Sequence, residues 1–376
     1  MRKILYVTGT RADFGLLRST LESIHHDPDL DLALCVTGMH LSEHYGNTVT
    51  EIESSGLRIA ARVPVALDET SGAAMARALG SELIGMVDAF EFERPDAVLV
   101  LGDRGEQLAG ALAAVHLNLP VVHLHGGERS GTVDEPVRHA ISKLAHYHFV
   151  ATETSFDRLV KMGERRDRIF ITGAPGLDGL KELARHTRKD LCAAENLDPD
   201  QPVALVLFHS VVQEIDSMAR QTVHLMEALV DSGVQAVILL PNADAGGNHI
   251  RGVIEQYRNR KDFRVRVHMP REEFVSWLAC ADAMAGNSSS GIIEAASFGL
   301  PVVNIGTRQA DRERNANVID VPAEKEAIGD GFRRALESDF SGIENLYGKG
   351  DAGKRIVELL KTIPLDPAIL QKFNTY

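Results

Sequence analysis

The sequence predicts an α/β protein made of two doubly wound, parallel-sheet domains. Three observations lead there. Short, almost continuous apolar runs recur along the chain and alternate with helical stretches, the pattern of strands buried on both faces of a parallel sheet. Nearly every run ends in a turn rich in glycine or polar residues. At 376 residues the chain also exceeds the roughly 250–300 at which a single core stops growing.

The first run, Ile4–Val7, is followed by Thr8-Gly9 and by no small-residue cleavage site. It is therefore expected to be a first strand rather than a secretion signal. Leu32–Val36, Ala97–Leu101, Val121–Leu124, His148–Val150 and Ile169–Ile171 follow in the first half. Val203–Phe208, Ala236–Leu240, Arg264–Val267, Ala283–Ala285 and Val302–Ile305 make the second. Between the halves, Lys181–Gln201 is polar, charge-rich and closed by Asp198-Pro199-Asp200-Gln201-Pro202. The boundary falls there, giving domains of residues 1–180 and 181–355 and a C-terminal segment, 356–376. A cleft between the two is the expected ligand site.

Composition narrows the classes. Apolar residues make up 44% and charged ones 25%, ordinary values for a folded globular chain. Lys and Arg number 40 against 53 Asp and Glu, a net charge of -13. That surface argues against nucleic acid or a membrane as partner. Cys35, Cys192 and Cys280 are far apart with no metal-type spacing, so buried thiols in a reducing compartment are expected, with no disulfide and no zinc. No apolar stretch approaches the ~18 residues of a membrane span, and a cytoplasmic location is expected.

Gly348-Lys349-Gly350-Asp351-Ala352-Gly353-Lys354 matches G-x-G-x-x-G, but no strand precedes it and Arg355 stands where a P-loop needs Ser or Thr. It is expected to be a surface turn leading into a helix at Arg355–Thr362. No true strand–turn junction carries a dinucleotide fingerprint, so no nicotinamide or flavin cofactor is expected. Gly286-Asn287-Ser288-Ser289-Ser290-Gly291, followed by apolar Ile292-Ile293 and Glu294, differs. Serine hydroxyls and backbone N–H groups at the start of a helix suit a phosphate, though an ordinary serine N-cap gives the same pattern. Arg11, in the first strand's turn, could grip a diphosphate from the other side, with Glu294 accepting from ribose hydroxyls.

The first half gathers titratable groups at strand ends. Asp103 closes an apolar strand, where a carboxylate is costly unless paired or working; Arg104 beside it could be a simple ion-pair partner. The next strand ends in His123, His125 and Glu128, and Thr132, Asp134, Glu135, Arg138 and His139 follow. Such convergence on one face points to proton transfer with a phosphate-type leaving group. His209 ends the first strand of the second half and is expected to face the same cluster.

Gly9-Thr10-Arg11-Ala12-Asp13-Phe14, Val36–His40, Gly102-Asp103-Arg104, Gly126–Asp134, Arg138–His146, Pro241–Gly246, Gly286–Glu294 and Gly306-Thr307-Arg308-Gln309 resemble the hydrolysing UDP-N-acetylglucosamine 2-epimerases, in the same order through most of the chain. Non-hydrolysing relatives typically have Gly-Thr-Arg-Pro-Glu and Gly-Asp-Thr where this chain has Arg-Ala-Asp and Gly-Asp-Arg. The resemblance implies a GT-B fold whose C-terminal segment crosses back to the first domain, and a homodimer or homotetramer. It implies no metal or cofactor and a UDP-linked sugar substrate. It further implies elimination to a 2-acetamidoglycal, then hydration with inversion at C2. By position it assigns catalysis to Asp103, Asp134 and His209. Nucleotide contacts fall to Arg11, Ser288, Ser289, Ser290 and Glu294, and Arg308 is linked to activity. Arg104, Glu128, Arg138, Asn242 and Asp244 are placed with the substrate-binding residues. His125 departs from the pattern, because many members carry an acid there; with an ordinary pKa near 6.5, histidine still shuttles protons. UDP-N-acetylglucosamine, converted to N-acetylmannosamine for nonulosonic acid synthesis, is the first expectation for the substrate. The UDP- or GDP-linked N,N'-diacetylbacillosamine of legionaminic acid synthesis is the alternative. A glycosyltransferase of the same fold would need an acceptor cleft where Asp103, His125 and Asp134 cluster, and a nucleotide-sugar sensor would not need the carboxylates.

Overall fold

The structure, a computed structural model, describes residues 1–67, 69, 71–129, 134–241 and 244–375. Among these, thirteen strands form two wholly parallel sheets. The first holds β1 (Arg2–Thr8), β2 (Leu30–Thr37), β3 (Ile59–Val63), β4 (Ala97–Leu101), β5 (Val121–Leu124), β6 (Tyr147–Val150) and β7 (Ile169–Ile171), in the order β3-β2-β1-β4-β5-β6-β7. The second holds β8 (Val203–Leu207), β9 (Gln235–Leu239), β10 (Phe263–Arg266), β11 (Ala283–Gly286), β12 (Val302–Ile305) and β13 (Val318–Val321), in the order β10-β9-β8-β11-β12-β13. The two-domain, doubly wound α/β expectation holds.

The chain divides into two compact units. Unit 1 takes Met1–Glu128, Asp134–Asp178 and the chain from Tyr347 onward, and unit 2 takes Arg129 and Gly179–Leu346. In unit 1 successive β1 residues face opposite layers, as pleating requires. Ile4 and Tyr6 pack with Phe14, Leu17 and Leu21 of helix Arg11–His26 and with Ile356 and Leu360 of helix Ala352–Thr362. Leu5 and Val7 pack with Met86 and Phe90 of helix Gly72–Glu93 and with Ala109 and Ala113 of helix Gly105–His116. In unit 2, Ala204, Val206 and Phe208 join Leu225 and Leu229 of helix Met218–Ser232 and Phe332 of helix Lys325–Glu337. None of the helices is long and apolar enough to cross a membrane, the described residues alone being considered.

Strand order reverses between β1 and β4 in the first sheet and between β8 and β11 in the second. Ligands of open α/β sheets bind beyond the carboxyl ends of strands at such reversals. The turns at these points are Gly9–Asp13 and Gly102–Arg104 in unit 1, His209-Ser210 and Asn287–Ser290 in unit 2. Candidate residues from each half therefore sit at that half's own switch point.

Three expectations need correction. Strands β3 and β13 carry no continuous apolar run, because each lies at a sheet edge and is only partly covered. The helix after the glycine-rich 348–354 stretch begins at Ala352, not Arg355. Its first N–H groups are already taken: Asp178 accepts from Ala352 N at 3.0 Å and also from Gly353 N. An internal carboxylate thus occupies the place a phosphate would need. Finally, the helix after the serine turn spans only Ser289–Ile293 before a 3-10 turn at Ala295–Phe298. So short a helix contributes little dipole, and anion binding there must rely on individual hydroxyl and N–H donors.

Candidate active site

Helix Arg11–His26 starts at Thr10, whose hydroxyl accepts from Asp13 N at 3.2 Å, while the Asp13 carboxylate returns to the N–H groups of Gly9 (3.0 Å) and Thr10 (3.2 Å). This capping box is extended by Gln107, whose amide donates to Asp13 Oδ2 at 3.4 Å, and by the buried His40, 2.9 Å from Thr8 Oγ1. Asp13 is therefore structural. It presents half-buried Arg11, the first residue of the helix, on a rigid turn. Gly9 leaves no room for a side chain, since a Cβ there would stand 2.5 Å from Glu106.

At the end of β4, Asp103 follows Gly102, which adopts φ 78°. Its carboxylate forms a tight ion pair with Arg138 of helix Asp134–Leu144. The Arg138 side chain is 1% exposed and that of Asp103 20%, so the acid is the more accessible member of the pair. Arg138 also donates to His125 O at 2.8 Å and lies 3.9 Å from Glu128 Oε2. His125 Nδ1 is in close hydrogen-bond contact with Glu128 Oε1. His125 holds φ 58°, a left-handed conformation unusual for a non-glycine residue and worth noting at a functional site. One buried guanidinium thus ties Asp103, the His125 backbone and Glu128 into a single cluster, and Glu128 fixes the imidazole in turn.

Gly126 and Gly127 make this packing possible. A Cβ on Gly126 would lie 2.9 Å from His123 Nδ1, and one on Gly127, at φ 75°, would lie 2.4 Å from Ser155 O. His123 itself is structural. Its Nε2 is 2.7 Å from Gly102 O and its Nδ1 3.1 Å from Ser142 Oγ. Burial holds it well below the ordinary histidine range. His139 pairs with Glu135 at 3.3 Å, and burial lowers it too, against the partial offset of that carboxylate. Arg104 turns to Glu106, with Nε to Oε1 at 2.8 Å. Asp134, half-buried, is the first residue of the helix that carries Arg138. Thr132 lies outside the described residues.

In unit 2, Asn287 clamps the end of β8: its Oδ1 accepts from His209 N at 2.7 Å and its Nδ2 donates to His209 O at 2.8 Å. Arg308 Nη1 and Gln309 Nε2 both donate to Asn287 O at 3.1 Å, which brings Arg308 to the serine turn. Gly286 is obligatory, because at φ 128° a Cβ would meet Leu207 O at 1.9 Å. Ser288 caps the short helix by accepting from Ser290 N at 3.3 Å, and all three serines are half-buried. Glu294 is fully buried. Its Oε1 pairs with Arg271, while its Oε2 meets no hydrogen-bond partner among the described residues. Arg271 went unnoticed in the sequence, because nothing near it in the chain links it to Glu294. Asp244 is buried at the start of the turn before helix Gly247–Gln256, and Asn242 lies outside the described residues. Among the described residues no group of three or more His, Cys, Asp or Glu side chains is arranged to hold a metal.

Chemically, unit 1 offers a buried acid–base cluster and unit 2 a set of hydroxyl, guanidinium and carboxylate groups suited to a nucleotide. A family profile described as UDP-N-acetylglucosamine 2-epimerase matches residues 22–361. A Legionella pneumophila protein named UDP-N,N'-diacetylbacillosamine 2-epimerase (hydrolyzing) is 53% identical over 376 residues, covering 100% of both chains. A Campylobacter jejuni protein named GDP/UDP-N,N'-diacetylbacillosamine 2-epimerase (hydrolyzing) is 33% identical over 323 residues, 85% of this chain and 84% of that protein. Among solved structures, the UDP-GlcNAc 2-epimerase of Neisseria meningitidis bound to UDP-GlcNAc shares the fold with a TM-score of 0.80, at 22% identity over 95% of this chain and 99% of that one.

Proposed function

Because this chain belongs to the UDP-N-acetylglucosamine 2-epimerase family, we propose that it is a hydrolysing 2-epimerase that converts UDP-N,N'-diacetylbacillosamine and water to UDP and 2,4-diacetamido-2,4,6-trideoxymannose. The observation that carries the choice of sugar is the 53% identity, over the whole of both chains, to a relative named for that substrate. It reverses the order expected from the sequence, where UDP-N-acetylglucosamine came first.

The reaction runs in two halves. A base removes the C2 proton, the C1–O bond breaks with its electron pair going to UDP, and a C1–C2 double bond forms. Water then adds its oxygen to C1 while a proton reaches C2 from the opposite face. Each half needs a group that exchanges a proton at C2, and two such groups on opposite faces give inversion. Asp103 is the first candidate, being the more exposed partner of a buried ion pair. His125, with Nδ1 turned to Glu128, presents Nε2 as the second. Asp134 and His209 are assigned supporting proton transfers by position alone.

Arg11, Ser288, Ser289, Ser290 and Arg308 take the diphosphate, and the spare oxygen of Glu294 takes a ribose hydroxyl. Arg104, Glu128, Arg138 and Asp244 complete the binding residues, with Asn242 assigned by resemblance. Unit 1 then supplies the sugar chemistry and unit 2 the nucleotide grip.

The test is product analysis by NMR in D2O, with UDP-N,N'-diacetylbacillosamine and UDP-N-acetylglucosamine side by side. The expected result is free UDP and a free manno-configured diacetamido sugar bearing deuterium at C2, with the second substrate turned over more slowly. Faster turnover of UDP-N-acetylglucosamine would restore the other substrate. An intact UDP-linked manno sugar would refute hydrolysis.

A further inference from the structure

The C-terminal stretch of unit 1 is fastened to the helix that carries Arg138. Lys372 Nζ donates to Ser142 O (2.9 Å) and Ala145 O (2.5 Å), at the C-terminal end of helix Asp134–Leu144, and stands 2.7 Å from Glu164 Oε2. A cation in that position satisfies carbonyls the helix leaves open and complements the negative end of its dipole. Buried Glu164 is also held by Lys143 Nζ at 2.6 Å and His148 Nε2 at 3.0 Å. Two further bonds tie the tail: Lys143 Nζ to Asn374 Oδ1 at 2.5 Å, and Thr375 N to Gly163 O at 2.9 Å. A helix of eleven residues has little stability of its own, so its position depends on such ties.

Two lines run from this helix to the candidate catalytic cluster. Arg138 grips Asp103 and the carbonyl of His125. Ser142, whose carbonyl Lys372 holds, presents its hydroxyl to His123 Nδ1, and His123 Nε2 meets Gly102 O. Because a carbonyl can only accept, a neutral His123 carries its proton on Nε2 and accepts from Ser142 on Nδ1. That chain ends at the peptide preceding Asp103.

We propose that Lys372 is a positioning residue for the reaction. By gripping the last carbonyls of helix Asp134–Leu144, it sets Arg138 and, through Ser142 and His123, the Gly102–Asp103 turn in register with each other. The proposal rests on the reading of the Asp103 cluster as the catalytic centre.

Lys372→Met keeps the aliphatic stem and removes the ammonium. Glu164 retains Lys143 and His148, so the fold should survive. Steady-state kinetics of the wild type, Lys372→Met and Lys372→Arg are measured together with UDP affinity and amide hydrogen exchange across residues 134–145. The Met variant is expected to lose about tenfold in kcat, part of the roughly 10²-fold that a 1 Å displacement can cost. Its KM and UDP affinity should stay within about twofold, exchange in the helix should quicken, and Arg should restore most of the rate. Quicker exchange with wild-type kcat would mark a purely structural tie and overturn the proposal, as would an Arg variant no faster than Met. The functional reading fails separately, if the wild type turns over neither sugar; unchanged exchange in the Met variant counts against the tie whichever sugar is used.

Discussion

The contact between His125 and Glu128 permits a sharp test of whether the two act as one unit. If Glu128 holds the imidazole with Nδ1 protonated, Nε2 is free to accept a proton from substrate. Glu128→Leu keeps much of the volume but removes the acceptor, so Nδ1–H loses its partner and neither the tautomer nor the ring orientation is held. For His125 the better replacement is Asn, because the backbone there is left-handed at φ 58°, a conformation Asn tolerates. Structurally, each change removes one hydrogen bond to a charged group, about 1.5–3 kcal/mol. Arg138 keeps Asp103 as partner in both, so no buried cation is stranded and both variants should remain folded. Catalytically, each single change should lower kcat by about 10²–10⁴, the usual worth of a positioned acid or base. Since the two act through one proton, the double variant should be no slower than the worse single. UDP release in a continuous coupled assay gives kcat, and thermal unfolding checks the fold. Multiplying losses in the double variant, or either single variant within about threefold of wild type, would refute the unit.

Two other outcomes follow from buried carboxylates. Glu294→Gln should weaken UDP binding by about 1.5–3 kcal/mol, the worth of a hydrogen bond to a charged acceptor, because the spare Oε2 is lost as a carboxylate oxygen; unchanged affinity by calorimetry would place the ribose elsewhere. Glu82 is pushed up to about 8 by burial and by neighbouring Glu106, so the folded chain keeps a proton that the unfolded chain sheds from its ordinary 4.5, and stability declines as pH rises between the two. Glu82→Gln should therefore gain roughly 3 kcal/mol more at pH 7.5 than at pH 5, at about 1.36 kcal/mol per pH unit, and an equal effect at both pH values in urea unfolding would contradict this.

Most of the fold was legible because a parallel sheet covered on both faces needs largely apolar strands, and eleven runs stand out, one of them, Arg264–Val267, an alternating run at the β10 edge. The two that did not are edges. Ile59-Ala60-Ala61-Arg62-Val63 admits an arginine because only part of it is covered, and Val318-Ile319-Asp320-Val321 admits an aspartate for the same reason. Of the candidate residues, the clustering of Asp103, His125, Glu128 and Arg138 was legible because three of them follow strand ends. Position in the chain could not reveal that Arg104 turns to Glu106, that both nitrogens of His123 are engaged in the fold, or that Arg271 pairs with Glu294, since those are choices among tertiary neighbours. Asp13 was missed although its signal is local: Thr10 followed three residues later by an acid is a capping-box pattern.

That missed aspartate bears on which half suits a phosphate. Among the described residues, the helix starts at Arg11, Ala352 and Ser289 each follow a glycine-containing turn that invites comparison with a phosphate site. Before Arg11–His26 the N–H groups of Gly9 and Thr10, in the turn itself, are taken by Asp13, and at Ala352–Thr362 the first two helical N–H groups are taken by Asp178. A phosphate at either place would meet a carboxylate already in position and be repelled. At Ser289–Ile293 the capping group is the neutral hydroxyl of Ser288, which accepts from Ser290 N at 3.3 Å. Arg308 adds positive charge beside it, bonded to Asn287 O. On this chemistry the serine turn of unit 2 suits a diphosphate better than either of the other two helix starts. Under the proposed function, the strand ends of unit 1, whose helix start at Arg11 is closed by Asp13, are left for the proton chemistry at C2.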